Sequence, residues 1–167
     1  MKLLVAVFVL LAGACSLFAQ SKPPALMPGM GHHHHAISTK SPEAQRFFDQ
    51  GLTLVFAFNH EEAARAFRLA SELDPQSAMT YWDMALALGP CINLIDVDPA
   101  HEKAASEAIQ KALSLAPAAT ERERDYIQAL ANRYSSDLKV DLRKLDMEYA
   151  NAMRELYERY PDCDGRS

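Results

Sequence analysis

The chain has 167 residues and carries 22 acidic against 17 basic side chains, which gives a net charge of −5 near neutral pH. That balance provides no general attraction to nucleic acid or to anionic lipid, and no patch mixes aromatic with basic residues as base stacking requires. The length suffices for one modest domain with its own hydrophobic core.

The first segment, MKLLVAVFVLLAGACSLFAQ, has the features of a secretory leader. Lys2 gives it a positive start, and the apolar or small run over residues 3–14 is too short to span a bilayer as a mature helix. Ala19 offers a cleavage site. We therefore expect residues 1–19 to be a signal peptide and the mature protein to be exported, periplasmic or secreted, without a transmembrane span. A lipid anchor at Cys15 is the alternative, because the residues before it resemble a bacterial lipobox.

Residues 20–40 form a segment whose composition excludes a regular helix. Its part SKPPALMPGMG holds three of the nine prolines and two of the six glycines. We expect an extended, flexible arm. It carries four consecutive histidines, His32–His35, between the leader and the first helix.

From Ser41 onward, apolar residues recur at spacings of three and four, which predicts an all-α fold. Three segments repeat one arrangement: a small residue in a first helix, a residue that faces it in a second helix, and a proline that ends the pair. These sets are Gly51, Ala63 and Pro75; Ala85, Ala105 and Pro117; and Ala131, Tyr149 and Pro161. The third set matches least well, because a bulky tyrosine stands where the others have alanine.

Capping residues predict where four of the helices begin. Ser41 precedes a proline suited to the first helical position. Asn59 opens a variant capping box. Asp98 precedes a second such proline, and Thr120 with Glu123 forms a full capping box.

The distance from Gly51 to Ala85 is 34 residues, which is the period of the tetratricopeptide repeat. The chain resembles that family. The resemblance implies that residues 41–161 form an α-solenoid of about three helical hairpins, whose inner surface binds a protein or peptide. We therefore expect a binding scaffold.

The same resemblance locates the binding groove. Phe48 and Trp82 are also 34 residues apart, so they should occupy equivalent places in successive repeats. The resemblance implies that this position lies on the inner, concave surface of the solenoid. An open alternative is that both aromatic rings pack between helices. The candidate groove residues are Phe48, Leu52, Trp82 and Leu86.

A closer resemblance extends over residues 32–161. The strings HHHHAIST, SPEAQRFFDQGL, FAFNHEEAARAF and YWDMALALGP are similar to a group of exported bacterial tetratricopeptide proteins of uncertain function. Those proteins generally continue through further repeats, whereas this chain ends in a polar tail, residues 162–167. We therefore expect a truncated product whose last helix exposes apolar residues.

Motifs for catalysis are incomplete in this sequence. His60-Glu61 and His101-Glu102 begin like the zinc-protease pattern H-E-x-x-H, but alanines occupy both second histidine positions, 64 and 105. There is no Gly-rich phosphate loop, no C-x-x-C and no nucleophile elbow. We expect no enzymatic activity.

The histidine run supports an alternative function, transition-metal binding. Neutral imidazoles bind Zn, Cu and Ni well. His60 is a candidate additional ligand, because it stands at a helix start, where the dipole favours the neutral ring. Of the three cysteines, Cys91 and Cys163 lie outside the leader, and the sequence leaves their pairing open. The candidate metal ligands are His32, His33, His34, His35 and His60.

Overall fold

A computed structural model describes residues 24–91, 97–135 and 141–161. Within these ranges the fold is all-α, as predicted, and contains six α-helices and no β-strand. No described helix has the length and apolar character needed to cross a membrane. The predicted signal peptide, Cys163 and the polar tail lie outside the described residues. The helices are α1 (Pro42–Phe56), α2 (His60–Leu73), α3 (Ala78–Leu88), α4 (Pro99–Leu115), α5 (Glu121–Ala131) and α6 (Leu142–Arg159).

The four predicted helix starts are confirmed. The Ser41 hydroxyl accepts a hydrogen bond from the backbone N–H of Ala44 at 3.1 Å, and Pro42 occupies the first position of α1. Thr120 and Glu123 form both hydrogen bonds of a capping box. Each cap satisfies backbone donors that the first helical turn leaves free. The four N-caps are Ser41, Asn59, Asp98 and Thr120.

Helices adjacent in sequence pack in pairs, α1 on α2 and α3 on α4, and α2 also packs on α3. Side chains from α1 to α5 share one apolar core that includes Phe48, Phe67 and Ile109. Gly51 permits the closest approach of α1 to α2. A Cβ added there would lie 2.5 Å from Cε1 of the Phe67 ring, which is fully buried. The sequence predicts a small residue at this crossing, and the structure shows that a side chain at position 51 would collide with the Phe67 ring.

Helix α6 is less buried than the others. Of its 18 residues, only Leu145 and Leu156 are buried. Tyr149, the bulky residue of the third predicted repeat, is half-buried, and the Arg133 guanidinium lies 5.3 Å from its ring centroid. The apolar exposure predicted for the last helix is present, since Leu142, Met147 and Tyr157 are each at least 60% exposed.

Asp83 is an exception within the apolar core. Its side chain is 0% exposed, and neither carboxylate oxygen has a hydrogen-bond partner. Burial raises the pKa of Asp83 well above its ordinary value of 3.8, because desolvation penalises the charged form. Since the folded state then holds a proton that the unfolded state loses, stability falls as the pH rises above 3.8.

We predict that Gly51→Ala lowers the free energy of unfolding by about 1–3 kcal/mol, because the added methyl group overpacks the Phe67 ring. In an open helix the same change would stabilise by about 0.5–1 kcal/mol. Urea denaturation measures the difference, with the exposed substitution Gln110→Ala as control. A stabilised Gly51→Ala protein would contradict the close crossing.

We predict that Asp83→Asn raises the free energy of unfolding near pH 7 by about 1–3 kcal/mol, because it removes a buried group that must be kept uncharged. The gain should shrink as the pH falls below 3.8, where the wild-type carboxyl is neutral in both states. Denaturation curves at the two pH values test this, with exposed Glu72→Gln as control. An equal gain at both pH values would exclude ionisation as the cause.

Candidate functional site

The proline- and glycine-rich segment before α1 is held against the helices over its described part, residues 24–40. Composition predicts an extended, flexible arm, and this part indeed contains no helix. Gln50 of α1 nevertheless fixes its beginning. The Met27 N–H donates to Gln50 Oε1 at 2.7 Å, and Gln50 Nε2 donates to the carbonyl of Ala25 at 3.2 Å. A non-helical backbone needs such external partners, because it cannot pair with itself.

Two polar side chains of α1 hold the middle of the segment. The His35 N–H donates to Asp49 Oδ1 at 3.1 Å, and the Ile37 N–H donates to Gln45 Oε1 at 3.0 Å. Gln45 Nε2 donates in turn to the His35 carbonyl at 2.9 Å and to Asp49 at 3.0 Å. His34 Nδ1 lies 2.8 Å from Asp49 Oδ2. The main chain at His35 and Ile37 is therefore bonded to one helix through two N–H donors and one carbonyl acceptor.

Carboxylates from two further elements bind the last residues of the segment. Glu123 of α5 accepts hydrogen bonds from the N–H and the hydroxyl of Ser38, both at 2.6 Å. Asp74, the C-cap of α2, accepts from the Thr39 hydroxyl at 2.6 Å and from the Lys40 N–H at 2.8 Å. We call the side chains that hold residues 34–40 the segment-binding surface: Gln45, Asp49, Asp74 and Glu123.

These hydrogen bonds control the ionisation of the surface. Burial opposes ionisation of Glu123, but the bonds from Ser38 and Thr120 outweigh it and lower the pKa of Glu123 below its ordinary value of 4.5. For Asp74, too, desolvation is the largest single influence and opposes ionisation, but the hydrogen bonds from Thr39, Lys40 and Gln76 together outweigh it and lower the pKa below its ordinary value. Both groups are therefore charged acceptors at neutral pH.

Side chains of the segment also fit the helices. Ile37 packs against the main apolar core. The His35 ring stacks on Phe48 with a centroid distance of 6.3 Å. Burial, followed by the nearby Arg122 cation, lowers the pKa of His35, so the ring against Phe48 is held neutral. A cavity of about 250 Å³ remains between this part of the segment and helices α3 and α5, and its lining includes Ile37, Met79, Arg122 and Tyr126.

The four candidate groove residues lie near this surface, but mostly inside the core. Phe48 and Trp82 are 1% and 8% exposed. Trp82 Nε1 donates to the carbonyl of Tyr126 at 2.8 Å, and the two rings meet edge to face. Leu52 and Leu86 are half-buried against the same core. Of the four, Phe48 contacts the segment through His35, and the role of the set in partner binding stays a prediction.

Sequence reasoning missed the polar residues that hold the segment. Gln45 and Asp49 are one helical turn apart on α1. Polar residues at this spacing are common on the exposed face of any helix, so the spacing does not indicate a binding role. Asp74 is the C-cap of α2, and Glu123 belongs to the capping box of α5. These local roles already account for both residues, so nothing in the sequence indicated contacts with the segment. Ser38 and Glu123 are 85 positions apart, so no local pattern connects them.

The candidate metal ligands do not converge. His34 contacts Asp49, and the His35 ring stacks on Phe48. The His33 ring packs edge-on against Phe56, with a centroid distance of 5.7 Å. Among the described residues, no three His, Cys, Asp or Glu side chains are grouped to hold a metal ion. The placement therefore gives no direct support to a site built from His32–His35 and His60, and binding of Zn, Cu or Ni by that set stays a prediction.

His60 lines a different cavity, of about 420 Å³, between the start of α2, the end of α3 and the start of α4. Neither ring nitrogen of His60 has a hydrogen-bond partner. At the same cavity, His101 hydrogen-bonds to Asp98 and lies 3.2 Å from Glu61 Oε1. The bond to Asp98, with the Glu61 charge, raises the pKa of His101. The half-buried Cys91 also lines this cavity.

The fold and the site together define an all-α protein that holds an extended chain segment across three of its helices. No model of a known family, no curated protein and no solved structure matches the chain. The chemistry of the segment-binding surface is therefore the basis for a functional proposal.

We predict that Glu123→Gln weakens the docking of residues 34–40, because charge-assisted hydrogen bonds contribute more than neutral ones. Gln suits the same capping position, so α5 should keep its start. Hydrogen exchange of the Ser38 amide should lose at least about tenfold in protection near pH 7.

The wild-type protein should lose the same protection only in acid. The contribution of a carboxylate with a lowered pKa is complete above its unfolded value, 4.5, and disappears as the pH falls through the folded value. Glu121→Gln, on an exposed residue of the same helical turn, is the control. Unchanged Ser38 protection in Glu123→Gln would refute the docking role of this carboxylate.

Proposed function

We propose that the chain is an exported, non-enzymatic scaffold of the tetratricopeptide type, which binds an extended peptide segment of a protein partner. The observation that supports this most is the bonding of residues 34–40, where helix side chains accept hydrogen bonds from main-chain N–H groups. The four residues whose N–H groups are accepted in this way are His35, Ile37, Ser38 and Lys40.

Recognition of the main chain explains why a peptide is the favoured ligand. Every extended peptide presents N–H donors at regular intervals, and binding energy from the main chain leaves specificity to pockets for individual side chains. The 34-residue period and the paired packing of α1 on α2 and α3 on α4 agree with a repeat scaffold.

The contacts of the protein's own segment indicate the preferred sequence of a partner. Ile37 contributes an aliphatic contact to the core, and the hydroxyls of Ser38 and Thr39 donate to Glu123 and Asp74. The acceptors are carboxylates, so an acidic peptide would be repelled. We therefore expect a neutral or basic partner with a branched aliphatic residue followed by two hydroxyl residues.

The protein's own segment competes with such a partner. A tethered ligand has an effective concentration in the millimolar range. A partner peptide must therefore bind more tightly than the segment, or bind when the segment has already left the surface. The surface should therefore be more accessible in a protein whose segment is weakened.

A synthetic, labelled peptide with the sequence of residues 32–41 tests the proposal. The receptor is the full chain carrying Ile37→Asp and Ser38→Ala, which weakens the segment and leaves the segment-binding surface intact. We predict saturable binding to this variant, and at least about tenfold weaker binding to the wild type, because the intact segment competes. Fluorescence anisotropy measures both.

The matched control is a peptide that carries the same two substitutions, which should bind neither protein. Circular dichroism confirms that the variant remains helical. Absence of binding to the variant, or equal binding of the control peptide, would refute peptide recognition by this surface.

A further inference from the structure

Three residues whose side chains carry neutral metal-binding atoms line one small cavity at the beginning of the segment. Met27, Met30 and His33 are spaced three residues apart. All three contribute to the wall of a cavity of about 200 Å³ that lies against α1. Two methionines and a histidine therefore border one space, which meets the segment-binding surface at Asp49.

A tight turn brings the two methionines together. Pro28 and Gly29 form the centre of a turn that has Met27 before it and Met30 after it. Gly29 has φ +80°, which matches the third position of a type II turn, and proline is favoured at the second. The end residues of such a turn lie within about 7 Å of each other.

The helix fixes this arrangement. The Met27 N–H donates to Gln50 Oε1 at 2.7 Å, and Met30 packs against the main core. Gly31, also at φ +80°, redirects the chain after Met30. The His33 ring then rests edge-on against Phe56 at 5.7 Å, so the last donor is also supported by α1.

We propose that Met27, Met30 and His33 form a binding site for Cu(I). Thioether ligands are soft and select Cu(I), whereas imidazole also accepts it. The hard cations Mg²⁺ and Ca²⁺ require oxygen ligands. The same cavity is also lined by Asp49 and Arg46, whose opposite charges offset each other, so the neutral donor set decides the preference.

This site differs from the histidine cluster that the sequence suggests. His34 is engaged by Asp49, and His35 stacks on Phe48. His33 alone among the four histidines lines the cavity. The proposal requires the methionines, and it is independent of peptide binding.

Anaerobic titration of the full chain with Cu(I), in competition with a chromophoric Cu(I) chelator, tests the site. Cys15, Cys91 and Cys163 are replaced by serine in every sample, so that no thiol competes for the ion. We expect one Cu(I) per chain. X-ray absorption should detect sulfur neighbours of the copper, which can then come only from methionine.

Met27→Leu with Met30→Leu is the decisive variant, because Met-to-Leu changes nearly conserve volume and should preserve the fold. It should weaken Cu(I) binding at least tenfold and remove the sulfur signal, and His33→Ala should weaken binding as well. The matched controls are Met147→Leu, on the exposed face of α6, and His32→Ala, at an exposed histidine that does not line the cavity. Both should bind Cu(I) like the parent.

Two results would overturn the proposal. One is the absence of stoichiometric Cu(I) binding in the parent. The other is binding that survives the double methionine change, which would transfer the ion to the histidine run or to an adventitious position. Circular dichroism of each variant separates loss of ligands from loss of fold.

Discussion

An extended chain that lies on helices must find hydrogen-bond partners outside itself, and this requirement organises the structure before α1. Helices α1 and α5 and the C-cap of α2 provide acceptors for the N–H groups of the segment. Unpaired main-chain groups would otherwise face a partly apolar surface, at a cost of about 1–3 kcal/mol each. Because these partners come from different parts of the chain, the docked position of the segment depends on how the helices pack together.

The electrostatics of the site follow from that bonding. Asp49, Asp74 and Glu123 each accept more than one hydrogen bond from the segment. For Asp74 and Glu123 these bonds lower the pKa and so favour the charged form. His35, in contrast, is kept neutral between Phe48 and the helices. The surface is thus a set of fixed anionic acceptors around an apolar contact, a combination suited to main-chain donors and hydroxyl groups.

The two proposals use different parts of the segment. Peptide recognition concerns residues 34–40 and the acceptors beneath them. The Cu(I) site concerns the turn at Pro28–Gly29 and the donors on either side of it. Asp49 lies between the two regions, since it contacts His34 and also lines the cavity bordered by Met27, Met30 and His33. Occupation of the cavity would therefore rigidify the beginning of the segment, next to the part that occupies the peptide surface.

The sequence by itself determined the features that depend on near neighbours. The all-α fold follows from helical periodicity. The starts at Ser41, Asn59, Asp98 and Thr120 follow from side chains that bond backbone groups two or three positions further on. The predicted repeat pattern also indicated Gly51 as the residue where two helices approach closely, and the structure places it against Phe67.

Only the tertiary structure decided which residues form the candidate site. The 34-residue spacing of Phe48 and Trp82 suggested a groove, but both rings are buried by packing. Aromatic residues are used both in a hydrophobic core and in a binding groove, so the sequence could not distinguish the two locations. The bonds from Ser38 to Glu123 and from Thr39 to Asp74 join positions 85 and 35 residues apart. A contact of that range leaves no periodic trace in sequence, because it exists only where separately formed helices bring their side chains together.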